Sequence, residues 1–124
     1  MRSNSDVYVA ALADALRHLH RTESARDTYA RALTLVEHLA QTRPLSVEEQ
    51  CRRAIYLAKL GDRRAATAAL DAIAPGTRSQ DFAYARAIVA LLEDRIAAAS
   101  RHLKDAIQAG YPPMLIEMDP DFLH

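Results

Sequence analysis

The sequence predicts an all-α fold in which three helix-turn-helix pairs stack side by side. Three observations support it. A small residue is followed by another small residue twelve positions later, a short polar segment breaks each such interval, and alanine, a strong helix former, accounts for 25 of the 124 residues. Because one helix pair cannot bury its apolar face alone, repeated pairs must stack. The paired small residues are Ala13 and Ala25, Ala54 and Ala66, and Ala87 and Ala99.

The first pair of helices is predicted from capping residues and apolar spacing. Ser5, or a residue just before it, can begin a helix that runs to about His20. Thr22 opens the second helix, whose apolar face extends to about Gln41 before Pro44 ends it. This helix is predicted to be long, because the second alanines of successive pairs lie 41 and then 33 residues apart.

The remaining boundaries follow from similar signals. Ser46 and Glu49 have the spacing of a capping box and start the third helix, and Gly61 stops it. The later boundaries are set by caps and helix breakers. Asp62 is predicted to cap the fourth helix, Pro75-Gly76 to close it, Ser79 to begin the fifth, Asp94 to cap the sixth and Gly110 to end it.

The order of small residue, apolar residue, polar turn, alanine and bulky residue resembles the tetratricopeptide repeat, whose period is 34 residues. The chain departs from the family in having no Trp, and in Arg53 and Arg86 where the first unit has Leu12. The resemblance implies a short right-handed solenoid in one domain, 1–124, with repeats at about 5–45, 46–78 and 79–110. The match is carried by Leu12, Ala13, Leu16, Ala25 and Tyr29 in the first unit, by Ala54, Leu57, Gly61, Ala66 and Leu70 in the second, and by Ala87, Ala90, Ala99, Leu103 and Ala106 in the third.

The tail, residues 111–124, is predicted to form a short apolar helix that caps the end of the stack. Pro112 or Pro113 suits the first turn of a helix, and Met114, Leu115 and Ile116 supply apolar side chains. The tail looks like the end of repeat regions in multidomain bacterial regulators, among them Ser/Thr kinases and winged-helix transcription regulators. With the apolar residues Phe122 and Leu123 at the very end of the sequence, this similarity suggests a fragment of a larger bacterial signalling or regulatory protein.

The bulk composition argues against several classes of function. Sixteen basic and sixteen acidic residues give a formal net charge of zero, without the basic excess typical of proteins that bind nucleic acid or acidic membranes. Cys51 is the only cysteine, so no internal disulfide forms, and a cytoplasmic location is predicted. The sequence has no apolar run of about 18 residues, and no membrane span is predicted.

The residues that carry chemistry do not form a recognisable catalytic or metal-binding pattern. His18 and His20 are two apart on a predicted helix and point in different directions, while His38 and His102 lack a second ligand at helical spacing. Cys51 would be a nucleophile only beside a distant base, and a lone helical cysteine more often packs in a core. We therefore expect a protein that is not an enzyme and has no metal or cofactor.

The resemblance places the first helix of each pair on the concave side of the solenoid and implies a partner-binding groove there. We expect this groove to be polar at one end and apolar at the other, where grouped apolar side chains suit a partner helix or extended peptide. The alternative is that the tail, a second copy or a neighbouring domain covers the apolar end. The predicted groove residues are Asp14, Arg17, Cys51, Ile55, Lys59, Tyr84, Ile88 and Leu92.

The expected function is non-catalytic protein–protein interaction, with a protein or peptide held in this groove. Tyr84, Ile88 and Leu92 are the leading anchors. An alternative is a sensor that binds a short peptide or small ligand and shifts its helix packing, which predicts a ligand-sized pocket walled by the first helices. A homodimer formed through the apolar end of the groove is a further alternative.

Overall fold

The computed structural model describes residues 5–73 and 80–113. Over these ranges the chain is helical and has no strand, which confirms the all-α prediction. The helices are α1 (Ser5–His18), α2 (Thr22–Thr42), α3 (Val47–Lys59), α4 (Arg63–Asp71), α5 (Gln80–Leu92) and α6 (Ile96–Gln108).

The six helices pair as three hairpins in chain order. Helix α1 packs on α2, α3 on α4 and α5 on α6, while α3 also contacts α2 and α5, and α4 contacts α5. The small residues that predicted the pairing all lie in the interior, because they allow neighbouring helices to approach closely. These six residues, all of them buried, are Ala13, Ala25, Ala54, Ala66, Ala87 and Ala99.

The three hairpin turns share one backbone geometry. His20, Gly61 and Asp94 have positive φ angles of 62°, 87° and 60°. In each turn the amide of the next residue donates to a carbonyl five residues earlier, as Arg21 does to Leu16 at 2.9 Å, which is the Schellman arrangement that ends a helix. Equivalent bonds run from Asp62 to Leu57 and from Arg95 to Ala90.

The prediction that Asp94 caps α6 is wrong. Asp94 takes the left-handed position that Gly61 holds in the preceding hairpin, and Arg95 stands at the N-cap without a side-chain hydrogen bond. Asp tolerates the left-handed region better than most residues, which makes it compatible with either role. In the second hairpin the predicted cap is confirmed, since the Asp62 carboxylate accepts from the Ala65 amide at 3.1 Å.

Most other predicted boundaries agree with the structure. Helix α2 spans 21 residues, and Ser46 and Glu49 form both bonds of the capping box that begins α3. Gly110 has a φ of 106° just beyond the end of α6. Helix α1 ends at His18, two residues earlier than predicted. The predicted signals at Pro75-Gly76 and Ser79, and the capping helix beyond Pro113, lie outside the described residues.

Candidate partner-binding surface

The apolar end of the predicted groove is filled by the chain's own side chains. Ile88 is 0% exposed and Tyr84 is 7% exposed. The ring of Tyr111 stacks on that of Tyr84, with centroids 4.3 Å apart and planes inclined by 7°. Ile55 and Leu92 pack against the same cluster. The expectation that Tyr84 and Ile88 are exposed anchors is therefore wrong, and the alternative that the tail covers this end holds for Tyr84.

At the polar end, Asp14 and Lys59 join α1 to α3. Lys59 Nζ donates to Asp14 Oδ1 at 2.9 Å, and the Tyr29 hydroxyl donates to the same oxygen. Lys59 Nζ also lies 5.5 Å from the centroid of the Tyr29 ring. The Lys59 side chain is buried, whereas Asp14 and Arg17 are half-buried. The structure thus brings Asp14 and Lys59 together as a contact between hairpins.

A second polar contact between α1 and α3 was not anticipated from the sequence. Asp6 is buried, and its carboxylate accepts from Arg52 Nε at 2.7 Å and from the Tyr56 hydroxyl at 2.6 Å. Burial, assisted by the Asp6 carboxylate, raises the pKa of Tyr56, so its hydroxyl stays protonated and remains a donor. Asp6 lies 46 positions from Arg52, and no local pattern in the sequence indicates such a pairing.

Cys51 lies in the core rather than on an open surface. It packs with Ile73 of the α3–α4 hairpin and Ala85 of α5. Burial, assisted by the nearby carboxylates of Asp81 and Glu48, raises the pKa of the Cys51 thiol to about 12. Because the thiolate is the nucleophilic form, this sulfur is unreactive at neutral pH. Within the described ranges, no three His, Cys, Asp or Glu side chains are grouped so that they could hold a metal ion.

The largest exposed apolar side chains of α1, together with Leu19 just beyond its end, form a stripe on the outside of the protein. Tyr8, Leu12 and Leu19 are 66%, 52% and 64% exposed, and the exposed Ala11 and Ala15 lie between them. Their spacing of three or four residues places the four residues of α1 on one side of the helix. Leu19, whose amide donates to the Ala15 carbonyl, continues the same side. We call this set the α1 outer stripe. Contiguous apolar surface of this kind is typical of binding sites.

The equivalent positions in α3 are covered by the preceding hairpin. When Ala13 is aligned with Ala54, Leu12 corresponds to Arg53 and Tyr8 to Glu49. Arg53 Nη2 lies 3.1 Å from an oxygen of Glu37 on α2. Glu49 receives two hydrogen bonds of 2.7 Å from Arg43, the C-cap residue of α2. Tyr56, which corresponds to Ala15, packs in a cluster with Ala32 and Val36 of α2.

The equivalent positions in α5 are covered in the same way by α4. Phe82, which corresponds to Tyr8, packs against a cluster that includes Ile73 and is lined by Leu70. Val89, which corresponds to Ala15, packs with Ala66 of α4. The α1 outer stripe is therefore the face on which the second helix of a preceding hairpin lies in the other two hairpins. The feature of the sequence that indicates this uncovered face is Leu12, because the other two units have arginine at the corresponding position.

Two clefts lie on the boundaries between successive hairpins, with volumes of about 480 and 330 Å³. Arg53 lines the first cleft and Arg86 the second. Each cleft is therefore lined by the residue that corresponds to Leu12 in its own hairpin. The Arg86 guanidinium carbon lies 5.3 Å from the centroid of the Phe82 ring. In the second cleft, burial and the positive charge of Arg86 lower the pKa of His102, whose Nδ1 is buried without a hydrogen-bond partner.

Along residues 5–73 and 80–113, no helix combines the length and the apolar character that crossing a membrane requires. No protein-family model, curated protein or solved structure matches the chain.

Proposed function

We propose that this chain is a non-catalytic protein–protein interaction module, built as a short solenoid of the tetratricopeptide type. Three features support the proposal: the hairpins contact one another in chain order, their turns share one geometry, and the matching small residues are all buried. Stacked hairpins of this kind provide extended surfaces for other proteins. The module would act as a scaffold, or as the interaction part of a larger bacterial signalling protein, in the cytoplasm.

The exposed apolar side chains of the α1 outer stripe are the observation that carries this proposal. At the apolar end of the predicted groove, Tyr84 and Ile88 are buried, and the Tyr111 ring stacks on that of Tyr84. On α1, by contrast, Tyr8 and Leu12 stand exposed where the other hairpins have a covering helix. We therefore place the partner on α1.

The variant Leu12→Arg tests the proposal without disturbing the fold. Arginine is the residue that α3 and α5 have at the corresponding position, so the backbone accommodates it. The matched control is Ile96→Arg, which changes another exposed apolar residue into the arginine that begins α4 at the corresponding position. Both variants and the unchanged protein are used as bait in a lysate of the source organism, after circular dichroism has established equal helical content.

We expect a protein partner to be captured by the unchanged chain and by Ile96→Arg, and to be lost with Leu12→Arg. Equal capture by all three baits would place the partner elsewhere and remove the role given to α1. If none of the three captures a protein above background, the interaction function itself is wrong.

A further inference from the structure

We infer that the α1 outer stripe binds an amphipathic helix of the partner, which lies antiparallel to α1 in the position that α2 takes on α3. This inference rests on the proposed function, because it names the class of partner for the same surface. The chain itself provides the template, since α2 covers the corresponding face of α3 and α4 covers that of α5.

The contact of α2 with α3 defines the geometry. Tyr56 packs with Val36, Arg53 pairs with Glu37, and Glu49 pairs with Arg43. As the residue number falls along α3, it rises along α2, so the two helices run antiparallel. A helix that covers α1 in the same way would place its successive turns over Ala15, Leu12 and Tyr8 in that order.

The charge of α1 at these positions predicts the character of the partner. Where α3 has Arg53 and Glu49, which need a carboxylate and a guanidinium from α2, α1 has Leu12 and Tyr8. No residue of the α1 outer stripe is charged. A helix with charges at these points would lose their hydration without gaining a counter-charge, which is unfavourable. The partner helix is therefore apolar where α2 has Glu37 and Arg43.

The size of the α1 side chains predicts a further difference. Ala15 stands where α3 has Tyr56 and α5 has Val89, both of which are buried against the preceding helix. The smaller alanine leaves space that the covering helix must fill if the contact is to reach the density of a protein interior. The partner helix accordingly has a residue larger than the Ala32 that packs with Tyr56.

These requirements define a pair of probe peptides. The first is the α2 sequence, residues 22–43, labelled with a fluorophore. The second is the same peptide with Ala32→Leu, Glu37→Leu and Arg43→Leu. Each is titrated with the full chain and with the double variant Tyr8→Glu, Leu12→Arg, which copies the charges of α3, and binding is followed by fluorescence anisotropy. The two peptides and the two proteins form a double-mutant cycle.

We expect the apolar peptide to bind the unchanged chain at least about tenfold more tightly than the α2 peptide does, a difference of about 1.4 kcal/mol. The preference should reverse with the double variant, because Glu37 and Arg43 then find opposite charges. A preference that survives the double variant would mean that the peptide binds elsewhere, and would overturn the inference.

Two further outcomes separate this inference from the proposed function. If neither peptide binds, while capture from the lysate still depends on Leu12, the partner is not a helix of this type but the interaction role stands. If sedimentation shows that the chain forms dimers that Leu12→Arg dissociates, a second copy occupies the stripe and the inference is wrong.

Discussion

Gly61 and Asp94 hold the same left-handed backbone conformation at the same place in successive hairpins. Their φ angles are 87° and 60°, and His20 adopts the same conformation, at 62°, in the first hairpin. Glycine adopts this region without strain, whereas a residue with a Cβ atom is disfavoured there. One turn geometry is thus formed with three different residues and at three different costs in free energy.

The turns are predicted to differ in their response to substitution. His20→Gly should raise the free energy of unfolding by about 0.5–1 kcal/mol, because it removes the strain of a left-handed Cβ. Gly61→Ala should lower it by about 1 kcal/mol through backbone strain alone, since a Cβ built on Gly61 meets no atom within 4 Å. Urea denaturation measures both. His20→Ala is the control and should not stabilise the protein, because it changes the side chain but keeps the strain.

The ion pairs of α3 are predicted to differ greatly in their effect on stability. Asp6→Ala removes a fully buried carboxylate and leaves Arg52 and Tyr56 without their acceptor, which should cost about 3 kcal/mol. Glu37→Ala removes the partner of Arg53 in a pair that is partly open to solvent, and should cost less than about 1 kcal/mol. Thermal unfolding of the two variants checks this, and similar costs would contradict the structural role given to Asp6.

The contribution of Glu49 to stability is predicted to depend on pH. The hydrogen bonds from Arg43, with those from Ser46, lower the pKa of Glu49 from its ordinary 4.5 to about 2. Because the pKa is lower in the folded state, the stabilisation is complete well above pH 4.5 and is lost as the pH falls from 4.5 towards 2. Glu49→Gln should therefore be less stable than the unchanged protein at pH 7, by up to about 1 kcal/mol, and the difference should shrink towards pH 2.

Denaturant titrations of both proteins at several pH values between 7 and 2.5 measure this difference. Arg43→Gln removes the other partner of the pair and should show the same convergence with the unchanged protein in acid. A difference that stays constant over this range would mean that the Glu49–Arg43 pair does not contribute to stability.

The thiol of Cys51 is predicted to be inert in the folded protein. With the sulfur buried and its pKa raised to about 12, alkylation by iodoacetamide at pH 8 should proceed only through unfolded molecules and accelerate in urea. Ala15→Cys in a Cys51→Ala background is the matched control, because Ala15 is exposed on α1 and its thiol should react readily. Mass spectrometry measures both rates, and equal rates in the absence of urea would contradict the burial of Cys51.

The sequence alone predicts a helix end correctly where contacts within a few residues determine that end. Ser46 with Glu49, and Gly61 with its positive φ, fix the ends of α3 through contacts within a few residues, and both were predicted correctly. Asp94 was assigned the wrong role because an aspartate suits both an N-cap and a left-handed turn residue. Only the neighbouring backbone, which matches that at Gly61, distinguishes the two.

Which side chains are exposed and which are covered could not be predicted to the same degree, because burial depends on contacts between residues that are far apart in the sequence. Tyr84 is stacked against Tyr111, 27 positions later, and the partners of Asp6 lie on another hairpin. Leu12 is the exception. Its departure from the arginines at the equivalent positions was visible in the alignment of the repeats, and its significance emerged when the structure placed it on an uncovered face.

The length of α2 has a consequence for how such a chain can be recombined. Helix α2 has 21 residues, whereas α4 and α6 have 9 and 13, and its last turns carry the partners of Arg53 and Glu49. If the middle hairpin were deleted and α5 followed α2 directly, Arg43 would meet Phe82 in place of a carboxylate. The three hairpins share one turn geometry, but exchanging them would break the pairs that Glu49 and Arg53 form with α2 and its C-cap residue.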